Sequence, residues 1–404
     1  MNRFVSQRAK YLKRSAIREL LKLTEEPGII SFAGGLPDPE TFPNEKLADI
    51  AFRLLREKSS RVLQYGTTEG SNTLRNACVL WLASQGIHIT RDQILITASS
   101  QQGLDLLSKA FLDPDDVVFV DLPTYIGALQ AFGLFQAHIV GIPMEKDGMN
   151  LTILESRIVE AKRSGKRTKG IYVVPDFQNP SGITMSLEKR TQLLEIARTH
   201  DLLVFEDNPY GELRFTGESI PSIRSFDVDG RVIMLLSFSK ILAAGLRLGI
   251  LIADGELMET LVRVKQPTDL CTSRYIQHLA AGYLNSGEMD GHLSLIRRCY
   301  GEKCEAMVAA LKAHMPKSRD IKWTEPEGGL FLFLTLPERI DAEAMLERAV
   351  ARKVAYVPGY FFYPDGSGRN TARLSFSVNT LEEIHEGIGR LAEVVEAEIA
   401  NQKL

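Results

Sequence analysis

The stretch SFSKILAAGLRLG, residues 237–249, decides the fold because it directly follows the apolar run VIMLL at residues 232–236. That run predicts a buried strand, and a second apolar run at residues 248–252 predicts another. An α/β sheet presents its functional groups beyond the carboxyl ends of its strands. Lys240 stands at such an end. We therefore expect a functional site there, although the alternative interpretation of a loop lysine is a solvated surface charge.

The rest of the chain alternates short apolar runs with helical patterns, which is typical of a mostly parallel sheet covered by helices. The predicted strands cover residues 94–97, 117–120, 139–142, 171–174, 202–206, 232–236 and 248–252. Helical spacing predicts helices over residues 101–110 and 188–199. From about residue 288, a long charged helix and strands near 329–334 and 371–378 predict a second, smaller α+β domain beside the α/β core.

Length and composition indicate a large enzyme, with 404 residues and a formal net charge of -3. Residues 1–14 lack the apolar core of a secretory signal, and no stretch approaches the roughly 18 apolar residues of a membrane span. The four cysteines show no CxxC spacing, so we expect reduced thiols in the cytoplasm and no membrane. The charge balance argues against nucleic acid, and the histidine spacing argues against a metal.

The chemistry of Lys240 narrows the kind of site. A nucleophilic lysine must be neutral, and lowering its pKa from about 10.4 to near 7 costs roughly 4 to 5 kcal/mol. Burial and the nearby cation of Arg247 act in that direction. The alternative that avoids this cost is a covalent bond between the amine and a carbonyl cofactor.

Two motifs carry a resemblance: the S-x-S-K pattern of residues 237–240 and the G-L-R-x-G pattern of residues 245–249. With SFAGGLPDPETFP from residue 31 and RLSFS from residue 373, the chain resembles fold-type I, pyridoxal-phosphate-dependent class I/II aminotransferases over nearly its whole length. It is most similar to the 2-aminoadipate and kynurenine subgroup. The resemblance implies an N-terminal arm with part of the small domain at 1–35, a large cofactor-binding domain at 36–287 and a small domain at 288–404.

The resemblance implies a role for each polar residue that follows a predicted strand. Lys240 is the catalytic residue and the covalent attachment point, Asp207 pairs with the pyridine nitrogen, and Tyr125 stacks on the ring. Asn179, in FQNPSG, and Tyr210 bind the phenolic oxygen. The phosphate ligands implied are Ser100, Gln101, Ser237, Ser239 and Arg247, with Tyr65 reaching the phosphate of the neighbouring subunit in a homodimer with shared active sites.

Several of these positions have plainer interpretations. Asp207 precedes Asn-Pro and could cap a turn, and its neighbour Glu206 is easily confused with it. Asn-Pro is itself a common turn pair, and a cis bond before Pro180 is a hypothesis. Ser99 stands where the family more often has glycine, which puts the tightness of that turn in doubt. Ser99 and Ser100 could also cap a helix.

The resemblance also implies residues that bind the substrate. Arg373 suits a carboxylate because its planar guanidinium binds two oxygens at once, with Asn179 and Gly35 beside it. A surface position on an alternating strand is the other interpretation of Arg373. Arg18 corresponds to an arm arginine that pairs with acidic side chains in aminoadipate-type relatives, and an exposed charge on an amphipathic helix remains equally open.

The implied activity is ping-pong transfer of an amino group from an L-amino acid to a 2-oxo acid such as 2-oxoglutarate. One alternative is a cysteine-conjugate β-lyase, which would use nearly the same site residues. Another is a non-catalytic effector domain of a transcription regulator, which we disfavour because the aminotransferase pattern begins almost at Met1. A nucleotide enzyme is disfavoured because no G-x-G-x-x-G run follows a strand.

Overall fold

The computed structural model of the chain describes residues 4–11 and 28–401. The helices are α1 (Gln7–Tyr11), α2 (Asn44–Val62), α3 (Asn72–Ser84), α4 (Ser99–Phe111), α5 (Ile126–Leu134), α6 (Leu151–Arg163), α7 (Leu187–Thr199), α8 (Gly255–Asp269), α9 (Arg274–Leu284), α10 (Met289–His314), α11 (Ala342–Ala351) and α12 (Leu381–Asn401). The strands are β1 (Ile30–Ser31), β2 (Ile94–Thr97), β3 (Val117–Leu122), β4 (His138–Glu145), β5 (Gly148–Met149), β6 (Thr168–Val173), β7 (Leu203–Asp207), β8 (Val232–Ser237), β9 (Gly249–Ile252), β10 (Lys322–Trp323), β11 (Phe331–Thr335), β12 (Val354–Ala355), β13 (Val357–Pro358) and β14 (Thr371–Ser375).

The central feature is an eight-stranded sheet in the order β2-β9-β8-β7-β6-β3-β4-β5. Strands β8, β7, β6, β3 and β4 pair in parallel, whereas β9 runs antiparallel to both of its neighbours. Gly249, at the start of β9, therefore pairs with Thr97 at the end of β2 and with Ser237 at the end of β8. The loops that follow the parallel strands and the loop that precedes β9 all meet at one edge of the sheet.

Both faces of this sheet are covered, which explains the nearly continuous apolar runs in the sequence. Side chains alternate between two separate cores: Val118 and Val120 of β3 pack in one, and Val117 and Phe119 pack in the other. Each fully buried apolar side chain contributes about 1.5 to 3 kcal/mol relative to an exposed one. The sheet is therefore a rigid platform for the loops at its edge.

The predicted mostly parallel α/β core is confirmed, and each of the seven predicted strands matches an observed one. The largest differences are three residues each: β6 begins at Thr168 instead of residue 171, and β4 continues beyond the predicted end at 142 to Glu145 because its last residues pair with β5 in a hairpin. Helix α4 begins at Ser99 instead of Gln101. No helix within the described ranges is long and apolar enough to cross a bilayer.

The C-terminal part of the chain forms a smaller antiparallel sheet in the order β10-β11-β14-β13. Strand β1 pairs with β12 in parallel, so residues 30–31 pack with the C-terminal part of the chain. Helices α10 and α12 pack against each other. This arrangement places Arg373, on β14, opposite Phe333 of β11 and Val357 of β13. The predicted boundaries near residues 36 and 288 stay a prediction.

Candidate active site

The predicted site residues gather at the edge where the parallel strands end. Ser99, Ser100 and Gln101 follow β2 and open α4, while Tyr125 follows β3. The remaining residues end or follow β6, β7 and β8, or precede β9, and they are Asn179, Asp207, Tyr210, Ser237, Ser239, Lys240 and Arg247. Strand order thus brings together residues that lie up to about 150 positions apart in the sequence, as a doubly wound sheet does.

Lys240 is half-buried, and its Nζ donates a hydrogen bond to the carbonyl oxygen of Gly35. Burial of the ammonium group, together with the positive charges of Arg373 and Arg247, lowers the pKa of Lys240 to about 8. The sequence identified Arg247 as the neighbouring cation, but Arg373 has the larger effect. A sizeable fraction of Lys240 is therefore a neutral, nucleophilic amine near pH 8.

A second group of residues surrounds the start of α4. Arg247 Nη2 donates to Ser99 Oγ at 2.6 Å, and Arg247 Nη1 lies 3.5 Å from Ser239 Oγ. Ser99 has a φ of 70°, so this serine adopts the left-handed conformation that glycine would adopt easily. A Cβ on Gly249 would lie 2.6 Å from the carbonyl carbon of Ser99, which shows how closely the two backbones approach. The turn is tight despite the absence of glycine at 99.

These groups form an electropositive cradle. The backbone N–H of Ser239 donates to Ser237 Oγ at 3.2 Å, and the first turn of α4 contributes the positive end of its helix dipole. Ser100 lies in that first turn, half-buried. Gln101 Nε2 donates to the Gly127 carbonyl at 3.1 Å, and the Tyr125 hydroxyl donates to Gln101 Oε1 at 3.3 Å. Guanidinium, hydroxyl and helix N-terminal groups suit a phosphate anion.

Asp207 and Glu206 are consecutive residues whose side chains point to opposite faces of β7. The structure therefore distinguishes these two carboxylates, which are easily confused in the sequence. Glu206 accepts hydrogen bonds from the backbone N–H groups of Ile223 and Arg224 at 2.9 and 2.8 Å. Asp207 Oδ2 accepts one from the Tyr172 hydroxyl at 2.8 Å. Among the described residues, Asp207 Oδ1 is buried and has no hydrogen-bond partner. Glu206 is thus a structural acid, and Asp207 has a free acceptor at the site.

Burial raises the pKa of Asp207 to about 7, and the Tyr172 hydrogen bond opposes that rise. A buried acceptor without a partner costs about 1 to 3 kcal/mol, more when the group is charged. A ligand that brings a protonated nitrogen to Asp207 would remove this cost. The turn or helix-cap interpretation is wrong for the carboxylate, whose Oδ2 accepts from a side chain on β6.

Asn179 connects the large sheet to the small one. Its Nδ2 donates to the Tyr210 hydroxyl at 3.3 Å, and its Oδ1 accepts from Arg373 Nη1 at 3.0 Å. The bond between Asn179 and Pro180 is cis, as hypothesised. Through its two hydrogen bonds, the side-chain amide of Asn179 sets the positions of both Tyr210 and Arg373.

Arg373 is 4% exposed, so its interpretation as a surface residue on an alternating strand is wrong. Its guanidinium carbon lies 4.3 Å from the Phe331 ring centroid and 5.1 Å from that of Phe362, while Nη2 donates to the Ala33 carbonyl at 2.7 Å. Burial lowers the pKa of Arg373 to about 10. Within the described part of the chain, its Nε is buried without a hydrogen-bond partner. The guanidinium is thus a rigid, desolvated cation with unused donor capacity.

Three predicted residues relate to the site in other ways. Gly35 contacts two residues of the site. Its carbonyl oxygen accepts a hydrogen bond from Lys240, and a Cβ at this position would lie 2.8 Å from the Phe331 ring. Tyr65 is 74% exposed, and its backbone carbonyl accepts from Arg274 at 2.9 Å. Arg18 lies outside the described residues.

Sequence reasoning missed four contributors: the Tyr172 hydroxyl, the Ala33 carbonyl, and the rings of Phe331 and Phe362. For Tyr172 a signal existed, since a tyrosine inside the apolar run GIYVV must find a hydrogen-bond partner when buried. The other three contact Arg373 only through folding of distant segments, so the sequence carries no local sign of them.

These groups suit the cofactor that the resemblance implies. Asp207 Oδ1, which has no partner in the described part of the chain, offers an acceptor for the pyridine nitrogen, the Arg247 cradle offers phosphate ligands, and the Lys240 amine can bond to a carbonyl carbon. When bound, pyridoxal phosphate supplies an electron sink for negative charge at the α-carbon of an amino acid.

Comparison with known proteins agrees with this chemistry. The family model for aminotransferase class I and II matches residues 28–391. An aromatic-amino-acid aminotransferase of Thermococcus litoralis is 45% identical over 98% of this chain and 95% of its own length. A 2-aminoadipate transaminase of Thermus thermophilus is 41% identical over 96% of each chain.

Among solved structures, a Pyrococcus horikoshii kynurenine aminotransferase in complex with PMP superposes with a TM-score of 0.95, with 45% identity over 98% of each chain. These relatives do not favour the lyase or effector alternatives. This chain belongs to the class I and II aminotransferase family and is a pyridoxal-phosphate-dependent transaminase.

Proposed function

We propose that this transaminase accepts a broad set of L-amino acids, including aromatic, branched, 2-aminoadipate and glutamate-like donors, and passes the amino group to a 2-oxo acid such as 2-oxoglutarate. The supporting relatives are described as acting on aromatic amino acids, 2-aminoadipate and kynurenine. One observation carries the proposal: Lys240 and Arg373 bind the carbonyl oxygens of Gly35 and Ala33, two residues apart. An amine and a carboxylate-binding cation thus stand within the reach of one amino acid.

In this proposal, each group of the site has one task toward the cofactor. Asp207 binds the pyridine nitrogen through Oδ1, and Tyr210 with Asn179 binds the phenolic oxygen. Tyr125 covers the ring, where stacking contributes on the order of 1 kcal/mol beyond area burial. The proposed phosphate ligands are Ser100, Gln101, Ser237, Ser239 and Arg247, with Ser99 added because its hydroxyl accepts from Arg247.

Lys240 moves the proton in the proposed reaction. In the first half of the ping-pong cycle, its neutral Nζ would take the proton from the substrate's α-carbon and deliver it to the C4′ carbon of the cofactor, and in the second half it would move a proton in the reverse direction. The lowered pKa of Lys240, about 8, supports this role because the amine must be neutral to accept a proton. Burial beneath the bound ligand would exclude water from that transfer.

Arg373 binds the substrate carboxylate with two N–H donors, and Asn179 and Gly35 complete that end of the site. The unused Nε donor and the stacked rings of Phe331 and Phe362 support this assignment. For Arg18 both interpretations stay open: pairing with an acidic substrate side chain, or a surface charge.

The active form in this proposal is a homodimer with shared sites, in which Tyr65 reaches the partner's cofactor phosphate. Exposed apolar side chains in and just after helix α2 support a covered surface, with Phe52 at 61%, Leu63 at 67% and Tyr65 at 74% exposure. We keep the cytoplasm as the proposed location because all four cysteines are free thiols. We also keep the domain limits of 36–287 and 288–404.

The test is a donor panel with product analysis. Purified enzyme is given 2-oxoglutarate with 2-aminoadipate, glutamate, kynurenine, phenylalanine or leucine, and both the new 2-oxo acid and glutamate are quantified; with glutamate as donor, an isotopic label follows the exchange. Broad specificity predicts turnover with both acidic and aromatic donors. Arg18→Ala should weaken 2-aminoadipate and glutamate far more than leucine, whereas equal losses would exclude the pairing role of Arg18. Turnover with a single donor class would contradict the proposed breadth.

A further inference from the structure

We propose that Tyr172 is a positioning residue of the cofactor site: its hydroxyl holds Asp207 Oδ2, so that Oδ1 alone is directed at the ring nitrogen of the cofactor. Tyr172 makes this contact at 2.8 Å from the neighbouring strand β6. The inference rests on the proposed role of Asp207 and adds a residue that acts through it.

Strand register explains why Tyr172 can reach this carboxylate. Strands β6 and β7 are parallel, and Tyr172 pairs with Phe205. Because side chains alternate along a strand, Phe205 and Asp207 share one face and Glu206 takes the other. Asp207 is therefore the diagonal neighbour of Tyr172, at a spacing that a long aromatic side chain spans.

The surroundings of Tyr172 fix its hydroxyl in place. The side chain is fully buried, and its ring meets Phe132 edge-on with centroids 5.5 Å apart. A fully packed ring leaves the hydroxyl no solvent partner, so its hydrogen bond to Asp207 replaces one to water. The phenol thus cannot turn away without leaving a buried donor unpaired.

Holding one carboxylate oxygen has two effects on the other. It removes the rotation that would exchange Oδ1 and Oδ2, so the orientation of Oδ1 is set before any ligand arrives. It also favours the ionised carboxylate, because a hydrogen bond to the charged form opposes the effect of burial. Both effects strengthen a contact between Oδ1 and a protonated ring nitrogen, and neither affects a ring that lacks this nitrogen.

The experiment uses that last distinction. Full-length wild type, Tyr172→Phe, Asp207→Asn and Tyr356→Phe are each titrated with pyridoxamine phosphate and with its analogue in which the ring nitrogen is replaced by CH. Neither ligand forms a bond to Lys240, so each dissociation constant reports non-covalent binding. Tyr356 is the matched control because it is also fully buried and donates through its hydroxyl, to the Ala342 carbonyl at 2.7 Å in the C-terminal part.

Tyr172→Phe should weaken pyridoxamine phosphate about tenfold, the size of one hydrogen bond to a charged group. It should leave the affinity for the CH analogue unchanged, and this unchanged affinity also reports that the pocket is folded. Tyr356→Phe should change neither affinity. Equal weakening of both ligands by Tyr172→Phe, or no weakening of pyridoxamine phosphate, would overturn the inference.

Asp207→Asn separates this inference from the proposed role of Asp207. If that variant loses affinity only for the ligand with a ring nitrogen while Tyr172→Phe does not, the role of Asp207 stands and the inference about Tyr172 fails. If Asp207→Asn does not distinguish the two ligands, the proposed role of Asp207 fails, and the inference about Tyr172 fails with it.

Discussion

The two sides of the active site differ in how their polar groups are paired. On the side of the large sheet, Asp207 keeps Oδ1 without a partner among the described residues while Tyr172 holds its other oxygen. On the side that faces the segment from Ala33 to Gly35, Lys240 and Arg373 both donate to backbone carbonyls of that segment. The first side is preformed for its ligand, whereas the second must exchange protein partners for substrate atoms.

The segment that occupies the two cations is itself well anchored. The Ser377 hydroxyl donates to the Leu36 carbonyl at 2.6 Å, and Lys303 pairs with Asp38 at 2.5 Å. The exchange at Lys240 and Arg373 therefore requires small shifts of the carbonyl groups within a fixed segment. Variants on the preformed side should alter cofactor binding and chemistry; on the exchanging side, Lys240 variants should alter the proton transfer and Arg373 variants should alter substrate binding.

The largest expected effect is at Lys240. Lys240→Ala removes the group that moves the α-proton, so kcat should fall by at least about 10⁴-fold, the upper range for general acid–base catalysis. Steady-state glutamate production from 2-oxoglutarate measures it. The matched control is Lys189→Ala. Lys189 lies on α7 and pairs with Glu145 and Asp147, so its removal should leave kcat within twofold. Near-normal turnover by Lys240→Ala would refute the assignment of the catalytic residue.

Asp207→Asn should cost about 100-fold in kcat, because an amide cannot stabilise a proton on the ring nitrogen as a carboxylate does. Glu206→Gln, on the other face of the same strand, is the control. The Glu206 carboxylate accepts hydrogen bonds from two backbone N–H groups, so Glu206→Gln should lower the thermal unfolding temperature and leave kcat nearly intact. A larger kcat loss in Glu206→Gln than in Asp207→Asn would reverse our assignment of the two carboxylates.

On the exchanging side, Arg373→Ala should raise KM about 10- to 100-fold, because hydrogen bonds between charged groups contribute roughly 1.5 to 3 kcal/mol. A smaller change in kcat is expected. Arg373→Lys keeps the charge without the two-pronged geometry and should recover only part of the lost affinity. Initial rates over a range of amino-acid concentrations measure both values. A fall in kcat with KM unchanged would place Arg373 on the preformed side.

The smallest expected effect concerns pH. In cofactor-free enzyme the pKa of Lys240 is lowered to about 8, so its amine is protonated below that pH and neutral above it. The rate of cofactor capture should rise with pH and level off with a midpoint near 8. Arg373→Ala removes one of the charges that lower this pKa, so its midpoint should move to higher pH. A wild-type midpoint near that of an exposed lysine, about 10.4, would contradict the burial of this amine.

Local patterns were sufficient to predict the polar residues that the large sheet contributes to both sides. Each of these residues ends or follows an apolar strand run, so the position of Asp207 at the end of β7 and of Lys240 after β8 could be read from residue order. The pairing between Tyr172 and Asp207 could not, because strand order and register depend on contacts across the whole sheet. The contacts of Arg373 with Ala33 and Phe362 join segments that are distant in sequence, and no periodicity encodes them.

The central claim is a transamination in which Lys240 moves the proton and the cofactor carries the amino group. The most direct measurement mixes the loaded enzyme with one equivalent of phenylalanine or 2-aminoadipate, follows the visible absorbance of the bound cofactor, and then adds 2-oxoglutarate. Our account predicts loss of the absorbance with release of one equivalent of 2-oxo acid, and recovery on addition of 2-oxoglutarate. Unchanged absorbance with both donors, or loss without recovery, would contradict it.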